Sequence, residues 1–442
     1  MKLRTSFFNL PVIQKNLTRF APLWVLYTIA EVLCLMSLDL SNGAGIAIDL
    51  STIMGTMAFF QCGYALIVAA CLFGDLFQSR MCNGLHAMPL RRECWLLTGI
   101  LSGFLFALIP AVVGGIVASI AIGKFWWIAW IWQGVSLLQF LFFFGVAVLA
   151  VMCAGNRLGM LSLFAIINFL PMLIYWMAIG LYEPLLQGVV LDFNVFTKFS
   201  PLINMMGHEY VNAYYDKILG MFFRGFYPES WVYLWICAAV GVLCLGGSLL
   251  LYRKRQLECA GDFVSFRPVG FVFLLVYTLF VGMVLYSLGD QVGGYTDYGF
   301  LAVGLVIGWF TGWMLLERKV KIFTKPILLG FGMFALVFAG TLILTALDVA
   351  GVETFVPQQS RVMRTAVYYQ DERYIYENKE DEQGWYIQEP EQINQVLQLH
   401  EQLLEHRSHT DGAMIPVALK YELKNGRTIY REYGVPVNAR LK

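Results

Sequence analysis

Charge is scarce in this chain. Only 14% of its 442 residues are Asp, Glu, Lys or Arg, against about 25% in an ordinary soluble domain. So little charge excludes a disordered chain. The two signs nearly cancel, to a formal +1, so no basic footprint points to nucleic acid. Nine cysteines are present, but 183–230 and everything after Cys259 contain none, which excludes a disulfide scaffold in those parts. No cysteine spacing resembles a zinc site. There is no G-x-x-x-x-G-K-S/T, so no P-loop binds a nucleotide. There is no G-x-S-x-G and no H-E-x-x-H. The expectation is a chain without its own enzymatic site, metal or cofactor.

What the chain has in abundance is apolar residues, 58% of the total, with a mean hydropathy of +0.64. A membrane-spanning helix needs about 20 mostly apolar residues. Nine stretches qualify: 21–38, 53–74, 95–122, 126–154, 158–182, 231–252, 268–289, 298–316 and 326–347. The expected fold class is therefore an all-α polytopic membrane protein of about nine transmembrane helices. The first stretch follows a polar lead of twenty residues without a small-residue cleavage site, and reads as a signal anchor.

Lys and Arg counts in the connections set the orientation. The segments 1–20, 75–94, 155–157, 253–267 and 317–325 hold 16 basic residues, while 39–52, 123–125, 183–230 and 290–297 hold 4. The bias places the N-terminus in the cytoplasm. An odd number of spans then puts the C-terminal tail outside, in the manner of a multi-pass cell-membrane protein.

Four soluble pieces stand apart. Residues 1–20 contain an amphipathic run that suits a helix lying on the inner surface. Residues 75–94 mix Leu85, Met88 and Leu90 with Arg80, Arg91 and Arg92; a short amphipathic helix there suits a groove on a partner, the plain alternative being a basic loop. The 183–230 segment is too long and too apolar for a passive link and suits short helices at the outer interface. Its His208 and Glu209 fall short of a metal site. Residues 351–442 carry 14 acids and 11 bases and read as a small α+β domain. Strands are expected at 361–369 and 373–376 and a helix at 390–406. A hairpin is expected around Asn425-Gly426. His400, His406 and His409 lie on or beside that helix without a nucleophile pattern.

Within the apolar stretches the one acid or base is Glu31. An ionisable group in lipid is expensive and is a functional candidate by default, here for a substrate path. The alternative is a neutral Glu bonded to a neighbouring helix. Gly304, Gly308 and Gly312 repeat every fourth residue and suit close helix packing, first within the chain and second in a dimer. The absence of clustered acids or histidines at depth argues against an ion-coupled carrier and against a channel with acidic rings.

Three runs carry a resemblance. QSRMCNGLHAMPLRRE has a basic residue, a His-x-x-Pro stretch and paired arginines at Arg80, His86, Pro89, Arg91 and Arg92. YRKRQLECAGDFVSFRP (252–268) directly follows the sixth stretch and is the most specific of the three. The tail closes on Leu-Lys-Asn-Gly and Tyr-Arg-Glu-Tyr. Together they resemble ABC-2 type transporter permeases of Gram-positive bacteria, in a subgroup with an extracellular C-terminal domain.

The resemblance implies a six-span transporter core, 21–252, with the 75–94 segment, Leu85 and Met88 included, as the coupling helix on a separate ATPase. A 253–267 connection and three additional spans, 268–347, depart from a six-span plan. It also implies an ABC ATPase subunit dimer carrying ATP and magnesium, a second permease subunit, and export of an amphipathic or antimicrobial compound, hence antimicrobial resistance. A membrane sensor whose external domain binds a peptide or envelope component is the second reading. A lipid-modifying membrane enzyme is a third, weakened by the lack of clustered polar residues in the spans.

Overall fold

A computed structural model describes residues 8–38, 43–87, 91–216, 220–292, 297–369, 386–406 and 414–436. Its helices are α1 (Leu10–Arg19), α2 (Ala21–Met36), α3 (Gly43–Ile53), α4 (Met57–Leu72), α5 (Ser79–Ala87), α6 (Arg92–Ile122), α7 (Trp127–Cys153), α8 (Arg157–Met177), α9 (Phe193–Phe196), α10 (Pro201–Met206), α11 (Pro228–Lys254), α12 (Arg267–Val292), α13 (Asp297–Glu317), α14 (Lys325–Ala346) and α15 (Pro390–His406). The strands are β1 (Val189–Val190), β2 (Val211–Asp216), β3 (Gly220–Phe226), β4 (Val362–Tyr369), β5 (Met414–Leu423) and β6 (Thr428–Pro436).

Among the described residues seven helices are long and apolar enough to cross a membrane. The number rises to nine if the pairs α1–α2 and α3–α4, each bent by 61°, count as one span apiece. The protein is thus a helical multi-pass membrane protein with a small sheet near its C-terminus. The second bent pair corrects the expected loop at 39–52: residues 43–53 are helical, and the chain turns at 54–56. A Cβ at Gly55 would meet the carbonyl oxygens of His208, Met205 and Met206 within 3 Å, so the bend nests against backbone where only glycine fits. The first bend follows Arg19, and the polar side of α1 is used by α6. Asn16 Nδ2 donates to Ser102 Oγ at 3.1 Å, and the Asn9 amide to Thr98 Oγ at 3.2 Å.

The chain forms two compact units, 1–170 with 200–322, and 171–199 with 323–442. In the first, α7 is the centre, with 78% of its apolar stretch buried. It packs against α4, α6 and α11. Gly145 and Gly241 face each other where α7 crosses α11, and a Cβ on either would strike the other helix's backbone. The expected short helices after α8 are present, and 211–226 adds an unexpected antiparallel hairpin, β2–β3.

The second unit holds a four-stranded antiparallel sheet of order β1-β6-β5-β4. Alternation along β5 buries Val417, Leu419 and Tyr421 on the face that α15 covers with Ile393, Val396, Leu397 and Leu403. The hairpin turns at Asn425-Gly426, with Gly426 at φ +79°. The strand expected at 373–376 lies outside the described residues. The sheet also extends past 351–442, because Val189 and Val190 pair with Arg431 and Tyr430. Gly188 (φ +73°) leads into β1 beneath the ring of Tyr433, where a Cβ would come within 2.2 Å. The Asp348 carboxylate accepts from the amides of Val352 and Glu353 and fixes the turn from α14 into the sheet.

Candidate functional site

At one end of the first unit the basic connections come together. The Arg255 guanidinium is buried and donates to Val151 O (2.7 Å), Met152 O (3.2 Å) and Leu76 O (3.3 Å). It therefore satisfies carbonyls that the last turn of α7 leaves open and ties them to the turn after α4. Arg253 pairs with Glu93 at 2.7 Å, Ser79 Oγ donates to Ala260 O at 3.2 Å, and Arg318 donates to Gly261 O. The 153–156 and 259–265 loops run antiparallel through Ala154–Val264, with Gly261 N donating to Gly155 O. A Cβ at Gly155 or Gly159 would strike this backbone. The most specific of the three sequence runs thus builds the floor of this end.

On that floor stands α5. Arg80, Met81, Asn83 and Gly84 are exposed and Cys82 points in. Leu85 and His86 belong to the same helix. Met88 and Pro89 lie outside the described residues. Arg91 and Arg92 follow, both exposed, with Arg92 Nη1 near the Arg255 carbonyl at 3.5 Å. Gly304, Gly308 and Gly312 lie elsewhere, along α13 where it packs on α12. Cβ atoms there would meet Gly282 Cα, Thr278 Cα and the Leu274 side chain within 3 Å.

Glu31 sits among α2, α4, α6 and α7. Only 6% of it is exposed, and it shares a cleft with Tyr27, Gln61, Gln133 and Ser136. Ala107 and Ala111 of α6 complete part of the wall. Gln61 Nε2 donates to the Tyr27 hydroxyl at 2.6 Å. The Tyr27 ring stacks on Tyr64 with centroids 3.8 Å apart. Glu31 is five residues from the end of α2 and Gln133 six from the start of α7, so the cleft lies about 8–9 Å below helix ends opposite the basic floor. The sequence reading missed Gln61, Gln133 and Ser136. Their only signal is an uncharged polar residue inside an apolar run, and each helix alone gives no reason to join them.

In the sheet unit, His400 replaces an apolar residue on the buried stripe of α15. Its Nε2 is 2.8 Å from Tyr433 Oη and its Nδ1 3.2 Å from Tyr421 Oη. Burial, with the Arg431 charge adding to it, pushes the imidazole down to about 4. The sheet's other face carries Arg364 paired with Glu422 and stacked on Tyr386, with Lys420 Nζ donating to Tyr386 Oη at 2.7 Å. Burial would raise the Glu422 carboxyl, but bonds from Arg364 and Tyr386 and the charges of Arg364 and Lys420 hold it below the usual carboxylate range.

Among the described residues no group of three His, Cys, Asp or Glu side chains converges to hold a metal. No known family, curated protein or solved structure matches the chain.

Proposed function

We propose that this chain is the membrane-spanning subunit of an ATP-driven exporter of the ABC-2 type. It works with a dimer of separate ATPase subunits that carry ATP and magnesium, and beside a second permease subunit. The observation that carries this reading is α5: a short helix that exposes Arg80 and Met81, braced on a floor of interlocked loops. A push on α5 reaches Ala260 through Ser79 and the ends of α4 and α7 through Arg255. Those helices also wall the Glu31 cleft, so a cycle of ATPase closure has a rigid route to the substrate path. The cargo class is an amphipathic or antimicrobial compound. The floor faces the cytoplasm of a bacterial cell, by the 16-to-4 basic bias, and the sheet unit faces outside.

The test is co-purification with the ATPase encoded beside the chain. Apolar anchors carry interface affinity and rim charges tune its salt dependence. Met81→Asp and Leu85→Asp are expected to reduce recovery of the ATPase at least about tenfold. Arg80→Ala is expected mainly to steepen the loss with salt. Undiminished recovery and transport in the aspartate variants would reject α5 as the coupling site.

A further inference from the structure

The Glu31 cleft contains more acceptors than donors. Glu31 Oε2, Gln61 Oε1, Gln133 Oε1 and Ser136 Oγ are all buried without a hydrogen-bond partner, and so is Gln133 Nε2. The residues holding them are at most 6% exposed. An unpaired buried polar atom is costly, and so dense a set of them calls for a ligand that answers several at once. Rotating the Gln133 amide onto Glu31 would occupy one carboxylate oxygen and still leave the Gln61 and Gln133 carbonyl oxygens without donors. The Tyr27 hydroxyl already accepts from Gln61.

The charge count points the same way. The apolar stretches hold no Lys or Arg to balance Glu31. Gly114 lets the carboxylate and the Gln133 amide close in against the backbone of α6. A Cβ there would lie 2.8 Å from Gln133 Nε2 and 2.9 Å from Glu31 Oε2, so any side chain would displace both. What fits one negative charge and several orphan oxygens is a compact group with one positive charge and several N–H donors.

We propose that the Glu31–Gln61–Gln133–Ser136 cleft binds a primary ammonium group, and that the exported cargo presents one. The cargo half rests on the exporter reading above; the binding half does not. Glu31 supplies the charge, Gln61, Gln133 and Ser136 supply the remaining acceptors, and Gly114 lets Glu31 and Gln133 converge. A quaternary ammonium has no N–H to give and leaves the oxygens unsatisfied. An alkali ion matches the charge alone and must gather further oxygens to complete its shell.

The experiment uses the full chain in detergent and follows thermal unfolding by tryptophan fluorescence. Methylammonium and butylammonium chloride are titrated against tetramethylammonium, sodium and potassium chloride at equal ionic strength. A ligand that binds only the folded state raises the midpoint in a concentration-dependent way. The expected result is a concentration-dependent rise of a few degrees with the two primary amines only. It should vanish in Glu31→Gln and be weakened in Gly114→Ala, which removes no charge and no polar group. If Glu31→Gln fails to fold, Gln133→Leu and Gly114→Ala carry the test.

A rise confined to sodium or potassium assigns the cleft to a free alkali ion and overturns the proposal. An equal rise with tetramethylammonium, a rise that survives in the folded variants, or a response to pH without any response to cations also overturns it. Failure of the amines here, with the ATPase still co-purifying, rejects the cleft and leaves the exporter reading standing. Loss of the ATPase with amine binding intact does the reverse.

Discussion

His400 is a residue whose surroundings set a pH dependence with a definite sign. In an unfolded chain it protonates near 6.5, and in the fold near 4. Between these values the unfolded state holds the extra proton, so stability is whole above pH 6.5 and falls as the pH drops towards 4. At pH 5 the loss corresponds to about a 30-fold shift towards the open state. Glu422, held low, adds its own stability above its ordinary carboxylate range and loses it only at more acid pH. The interval from 6.5 to 5 therefore isolates the histidine. The expected observation is faster amide exchange in 414–423 of the full chain at pH 5 than at pH 7.5, after correction for intrinsic rates. In His400→Phe the corrected rates should show no such pH dependence. A wild type as flat as the variant would mean that His400 accepts its proton inside the fold. The residue's position on α15 was legible in the sequence, but its two tyrosine partners were not. Tyr421 and Tyr433 reach it only once β5 and β6 are paired and the helix is laid across them.

Between α12 and α13 the contact is backbone to backbone. Gly304, Gly308 and Gly312 make a groove into which Gly282 and Thr278 settle. A helix pair in lipid gains from such closeness through dispersion, since the surrounding acyl chains are as apolar as the side chains. Gly308→Leu must push Thr278 Cα away and is expected to cost about 1–3 kcal/mol or more. Gly299, with nothing within 4 Å of its Cβ position, should accept alanine with no change. Unfolding midpoints of the two variants in detergent check this; equal values would show that α12 and α13 do not depend on that approach. Elements of this kind were readable because local pattern alone defines them. The same holds for the 390–406 helix and the Asn425-Gly426 hairpin. The bend at 54–56 was not readable, because α3 and α4 are both apolar and nothing local separates a bent span from a loop followed by a span. Its cause is tertiary: Gly55 fits under the carbonyls at the end of α10.

At the scale of the whole molecule, the pairing of β1 with β6 constrains topology without any count of charges. Val190 and Tyr430 share a ladder, so an even number of crossings must separate them. Four long apolar helices, α11 to α14, lie between. The basic floor imposes a matching rule at the other end, joining the turn after α4, the start of α6, the end of α7 and the loop after α11. The prediction is that single cysteines at Lys198 and Arg427, in a background without native cysteines, label from the same side of intact cells. A cysteine at Arg80 should label from the opposite side only. Labelling of Lys198 and Arg427 positions from opposite sides would break the sheet. The shared sheet was not legible in the sequence: two valines in an apolar loop carry no strand pattern.

That ladder also has a meaning in time. Val190 leaves the ribosome 240 residues before its partner Tyr430, which at about 5–20 residues per second is a wait of roughly 10–50 s. Four helices must enter the membrane in the interval. The loop that carries β1 therefore waits with an open edge, and only β6, the last of the described strands, closes it. A ribosome that stops before Thr428 leaves a protein with α1 to α15 made and its four-stranded sheet unfinished.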